Sequence, residues 1–278
     1  MKRSVLGRLL LICMMAFFLI SCESITKIQV SVGAKNLEFE FMKNAEDVDN
    51  IIIQNVRDQK FKFIINDKNA IIDIYDILSK GKIVDEKSDL SPDYTLTIYI
   101  KEEKVFKFNY VTGSFGSSLG NFYDDNGKIF NISNLLDKNI IDNFFLVRKE
   151  PENFRDTYYN YIISAMNKYN KLGTLNGKKI TIDLNGDTEY RRFIFSNDVD
   201  IFIDRLLKSN FSAKVYDFDL PKSSDINLQI KTIGFNEYTY KCAYIFTNNL
   251  NGSKESYFLK AEYKNKEWIE NFEEENEE

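Results

Sequence analysis

The chain of 278 residues contains no histidine, so any catalysis it performs would have to come from carboxylates, lysine, tyrosine or serine. That excludes Ser-His-Asp and Cys-His nucleophilic machinery and every zinc site built on imidazole. The paired-carboxylate candidates are Asp85, Glu86 and Asp89 in the stretch DEKSD, with Asp93 close behind. Glycan hydrolysis needs two such groups about 5–5.5 Å or 6.5–9.5 Å apart across a cleft. The competing reading is a solvated loop. Two fragments, Asp124-Asp125-Asn126-Gly127-Lys128 and Asp183-Leu184-Asn185-Gly186-Asp187, resemble pieces of calcium loops. Neither has the ligand order and closing glutamate of an EF-hand, and both fit hairpin turns better. No metal and no cofactor is expected. Between Val111 and Phe122, Gly113, Gly116 and Gly120 space a loop that offers Ser114, Phe115, Ser117 and Ser118 to a ligand. It lacks the Gly-Lys-Ser/Thr of a phosphate cradle, and a long hairpin connection is the alternative. Tyr94, Tyr99, Tyr110, Phe122 and Tyr123 either form a flat aromatic surface beside it or pack the sheet.

Cysteines occur at 13, 22 and 242. Cys242 lies in the alternating stretch YTYKCAYIF and reads as a small core residue. Cys22 is different. Lys2, Arg3 and Arg8 precede an apolar run from Leu9 to Ile20, which is shorter than the roughly 20 residues a spanning helix requires. This is the pattern of a signal peptide over residues 1–21. The run ends in Leu19-Ile20-Ser21-Cys22, which resembles the bacterial lipobox. The resemblance implies cleavage between Ser21 and Cys22 and a diacylglyceryl thioether, with palmitate-type chains, on the Cys22 sulfur. It also implies a chain anchored to the cell membrane on its extracytoplasmic face. Several acyl chains on one residue hold far better than one. If so, Cys242 has no partner for an intramolecular disulfide.

The elements that must position these groups follow from periodicity. After a tether and first strand over residues 22–32, the stretches LEFEF, NIIIQNV and KFKFII read as strands. Ala70, Ile71, Ile74, Ile77 and Leu78 then fall at helical spacing, with Asn66 or Asp67 placed to cap. YTLTIYI and VFKFNYV predict a hairpin around 101–104, and Asn126-Gly127 predicts a type I′ turn. NLLDKNIIDNFF predicts a short helix. A connecting helix is predicted over 150–172, with Phe154, Tyr158, Ile162, Ala165, Met166 and Tyr169 on one face and a stop near Gly173. KKITIDL and EYRRFIF predict a second hairpin, followed by a helix at NDVDIFIDRLLKS and four antiparallel strands. The acidic end, 273–278, reads as a frayed, solvated tail.

The fold class expected is α+β, antiparallel sheets each packed with one or two helices, in two small tandem domains at 33–149 and 173–272. Strand, capped helix and strand recur in both halves, which reads as a degenerate repeat or as a chance recurrence of a common order. Ile74-Tyr75-Asp76-Ile77-Leu78, the loop KIVDEKSDLSPDYTLTIYI and the stretch NFYDDNGKIF resemble a small extracytoplasmic domain of Gram-positive lipoproteins, the YhfM-like domain. The resemblance spans Leu37 to Asn143 and implies an α+β fold and a surface address, with no site residues. The formal charge of −5 becomes more negative once Lys2, Arg3 and Arg8 leave with the signal, so nucleic acid is not an expected partner. The function expected is a lipid-anchored, non-enzymatic binding or accessory module for a protein or cell-wall component. An immunity or inhibitor lipoprotein and a carboxylate-dependent wall glycan hydrolase stand as the alternatives.

Overall fold

A computed structural model describes residues 36–101, 104–113, 118–138, 154–217 and 224–275. They form an α+β structure with two sheets, each with its own apolar core. The first sheet has seven strands: β1 (Val48–Asn55), β2 (Lys62–Ile65), β3 (Lys82–Ile83), β4 (Tyr94–Ile100), β5 (Lys104–Tyr110), β6 (Phe122–Asp124) and β7 (Ile129–Asn131). Their order is β2-β1-β4-β5-β6-β7-β3, antiparallel throughout. Alternation decides which face is buried: Ile51, Ile53, Leu96, Ile98, Phe108 and Tyr110 all point into one core. Helix α1 (Lys68–Leu78) closes that core with Ile71, Ile74, Tyr75, Ile77 and Leu78. Its first turn is capped by Asp67, whose carboxylate accepts from the Ala70 N–H at 2.9 Å.

Two local expectations fail in this half. LEFEF is not a strand. Leu37–Met42 winds into a 3-10 helix started by the Asn36 side chain, which accepts from the Glu38 N–H. Its buried residues, Phe39 and Met42, are three apart, while Leu37 is 76% exposed. What decides is the slot for Phe39 among Phe108, Phe122 and Phe130, with ring centroids 4.9–6.1 Å away. The turn at Asn126-Gly127 joins β6 to β7, but it is not type I′. Only Gly127 has positive φ, at 87°, whereas type I′ needs it at both central residues. Asp124 accepts from the N–H groups of Asn126 and Lys128 and stabilises a longer loop instead.

The second sheet contains β8 (Ile180–Asp183), β9 (Ala213–Tyr216), β10 (Ile226–Asn236), β11 (Thr239–Asn248), β12 (Lys254–Lys264) and β13 (Glu267–Glu275), in the order β13-β12-β11-β10-β8-β9. It is mixed rather than wholly antiparallel: β8 runs parallel to both β10 and β9. The β8–β9 connection carries helix α3 (Ser196–Lys208), and a crossover of that kind returns the chain parallel. Ile180, Thr181 and Ile182 are buried in succession, as befits a strand covered on both faces. The hairpin expected between KKITIDL and EYRRFIF is therefore absent, and Arg191–Phe193 forms a 3-10 turn. The shared strand-helix-strand order of the two halves does not extend to shared pairing.

Helix α2 (Phe154–Tyr169) stops before Gly173, which has φ of 74°. Its predicted face is buried, and it belongs to the core of the second sheet rather than bridging the two. Tyr169 stacks on Phe246 at 4.2 Å, and Tyr158 on Tyr190 at 4.0 Å. Glu273–Glu275, expected in a frayed tail, continue β13 in register with β12. No helix among the described residues is long and apolar enough to cross a membrane.

Candidate functional site

Three stretches singled out in the sequence meet on the first sheet. The loop 85–89 lies beside the β6–β7 turn and the downstream end of the Gly113–Gly120 loop. Gly120 donates its N–H to the Glu86 carbonyl and accepts from the Ser88 N–H, each at 2.8 Å. Only glycine fits there: a Cβ would stand 2.2 Å from Ile129 Cγ2 and 3.1 Å from the Phe130 carbonyl. Together these segments line a groove of about 800 Å3, with Asp85, Glu86, Asp89, Asp124 and Asp125 on its walls. Lys87 is its cation, and its ammonium lies 4.8 Å from the centre of the Tyr123 ring.

The carboxylates differ in their freedom. Asp124 is occupied by the turn, accepting from the Asn126 and Lys128 N–H groups and the Asn126 side chain. Asp125 accepts from Asn109 Nδ2 at 3.3 Å. Asp85, Glu86 and Asp89 are exposed. An exposed carboxylate keeps its hydration, unlike the desolvated general acid that glycan hydrolysis requires. Among the described residues no group of three or more carboxylates or cysteines is placed to hold a metal ion.

Asp93, expected to pair with that loop, turns the other way. It is fully buried and sits where the two sheets' units meet. Its Oδ1 accepts from Arg57 Nη1 at 2.6 Å and from the Ser196 N–H at 2.8 Å. Its Oδ2 accepts from the N–H and Oγ1 of Thr112, both at 2.9 Å. Arg57 reaches further, donating from Nη2 to Ser196 Oγ and to Asp217 Oδ2, each at 2.8 Å. Burial alone would lower the guanidinium's affinity for its proton, but Asp93 and Asp217 more than offset it and leave the pKa raised. The pair is charged, buried and saturated with donors, which is the condition under which such pairs are tolerated. Ser196 Oγ donates in turn to the Ser91 carbonyl at 2.7 Å. Phe195 crosses the junction and packs in the first core, with its ring 6.2 Å from that of Tyr94 and the Arg155 guanidinium 4.5 Å from its ring centre.

A second buried carboxylate lies in the core of the second sheet. Asp187 accepts from the Thr232 N–H and Oγ1 and from the Tyr158 hydroxyl. A bulge in β10 between Thr232 and Gly234 accompanies the Thr232 N–H contact. Burial pushes the Asp187 carboxyl up to about 6 against the pull of those hydrogen bonds. In the first unit, burial likewise raises Asp137, which follows β7, although Tyr110 and the Gly113 N–H both donate to it.

Cys22 and Ser21, and Ser114, Phe115 and Ser117 of the glycine loop, lie outside the described residues; Ser118 is exposed. Tyr94, Tyr110 and Phe122 are buried and pack the sheet, whereas Tyr99 and Tyr123 are half-buried and Tyr123 lines the groove. Cys242 is buried, and desolvation pushes its thiol up to about 12, which makes it inert as a nucleophile. Arg57, Ser196 and Asp217 carried no local signal, because their partners lie 36 to 160 positions away.

The YhfM protein family model matches residues 44–150, less than half of the chain. That span holds the whole acidic groove and the Arg57–Asp93 side of the junction, and it supports the resemblance carried by residues 74–78 and the loops around them. Neither the curated proteins nor the solved structures include a match to the chain.

Proposed function

We propose that this is a lipid-anchored, extracytoplasmic binding module, tethered through Cys22, that takes a positively charged segment of a protein or cell-wall component into its acidic groove. The observation that carries the reading is the groove, with carboxylates from two loops converging over about 800 Å3 beside an aromatic ring. Such a field attracts cations, speeds their encounter and weakens with salt. Exposed Asp85, Glu86 and Asp89 favour binding over hydrolysis. The test is capture from membrane and wall extracts by the vesicle-anchored protein, with and without Asp85→Lys and Asp89→Lys. Salt-sensitive capture that both changes abolish is expected. Capture that survives both changes would remove the groove from the proposal.

A further inference from the structure

We propose that the Arg57–Asp93–Ser196–Asp217 junction is a positioning device that fixes one wall of the groove from the second unit, so that contact between the units sets the groove's shape. The proposal rests on the groove reading above. Its geometry lies in three consecutive residues. Ser91 gives its carbonyl to Ser196 Oγ, and Asp93 gives its carboxylate to Arg57, Thr112 and the Ser196 N–H. Pro92, between them, lines the groove. Its ring fixes φ, so restraint on both neighbours leaves this part of the wall little freedom. Asp93 is also held through its backbone, donating to the Tyr110 carbonyl and accepting from the Val56 N–H. Asp89, three residues before Pro92, carries one of the groove's exposed charges.

Seen from the second unit, the same contacts place a helix terminus. Helix α3 has no side chain of its own at its cap, and Asp93 supplies the missing acceptor. A negative group there also suits the positive end of the helix. Phe195 anchors the register by filling a place in the first core. Loss of the Ser196 hydroxyl would leave the Arg57–Asp93–Asp217 pairing intact but would release the Ser91 carbonyl.

The experiment is hydrogen exchange on the full chain, comparing the parent with Ser196→Ala, Ser196→Thr and Asp217→Asn. It needs no ligand, so it is independent of whether the groove binds what is proposed. The amides to follow are Ser88, Leu90 and Asp93, with Lys260 in β12 as the distant reference. Ser196→Ala and Asp217→Asn should speed exchange at these three amides, which flank the groove-lining Asp89 and Pro92, about three- to tenfold, as expected from losing one hydrogen bond's net stabilisation. Lys260 should be unchanged, and Ser196→Thr should restore the parent rates. Unchanged wall exchange in both variants would overturn the proposal. Equal acceleration at Lys260 would do so too, because it would mean global loosening.

Discussion

Asp93, immediately before β4 of the first sheet, caps the helix that begins at Ser196 on the second unit: its Oδ1 accepts the Ser196 N–H at 2.8 Å while it also holds Arg57 Nη1 at 2.6 Å. One buried carboxylate thus ends a helix and neutralises a guanidinium, across 103 positions of sequence.

Breaking that pair from the arginine side should be costly. Arg57→Met leaves Asp93 buried without its cation, and removing one partner of a buried pair costs about 3–5 kcal/mol. Urea denaturation should show a loss of that order. The double variant Arg57→Met/Asp93→Asn should lose less than Arg57→Met alone, because it removes the fully buried charge at 93 and leaves only Asp217, which reaches solvent, without its arginine. A double variant weaker than the single would refute this account of the pair.

Asp187 makes stability depend on pH. Burial holds its folded pKa at about 6, above its ordinary range, so the folded state keeps this proton longer than the unfolded chain. The stabilisation from protonation is complete below about pH 4, the unfolded value, and disappears as the pH rises through about 6. The span corresponds to roughly 2–3 kcal/mol. Asp187→Asn should flatten the decline in urea midpoint between about pH 4 and 6 relative to the parent. An identical decline in the variant would show that other groups cause it.

Gly120 should tolerate no side chain. The Cβ of Gly120→Ala would fall 2.2 Å from Ile129 Cγ2 and 3.1 Å from a backbone carbonyl, so both strand and loop must shift. Overpacking of this kind costs about 1–3 kcal/mol. Gly127→Ala, with open space at its Cβ but φ of 87°, should be destabilising through backbone strain alone. Thermal denaturation of the two variants separates the causes: shortening the Ile129 side chain to alanine should recover part of the first loss and none of the second.

Anchoring is testable without reference to the fold. Cys22→Ala should abolish incorporation of a palmitate analogue, since only the Cys22 sulfur is proposed to take lipid. Labelling that persists in the variant would place the lipid elsewhere.

Much of the architecture could be read along the chain. The helix at 68–78, with its Asp67 cap, and the buried face of 154–169 follow from spacing alone. The β4–β5 hairpin follows from alternation. These are interactions within a few residues or within one repeating face, where local stereochemistry sets the outcome. The acidic loop and the Asp124–Lys128 turn were also visible as separate stretches, although nothing local said that they share a groove.

What only tertiary structure decided is which partner each ambiguous segment met. Leu37–Met42 alternates like a strand, yet it is a 3-10 helix because Phe39 has a slot among three other rings. Residues 185–195 look able to pair with β8, yet buried Asp187 draws them into turns against β10. Asp93 looks like one more loop carboxylate, yet it is enclosed by Arg57, Thr112 and Ser196. In each case local propensity allowed more than one outcome. The choice went to the one that filled a cavity or satisfied a buried polar group, and those partners lie far away in sequence.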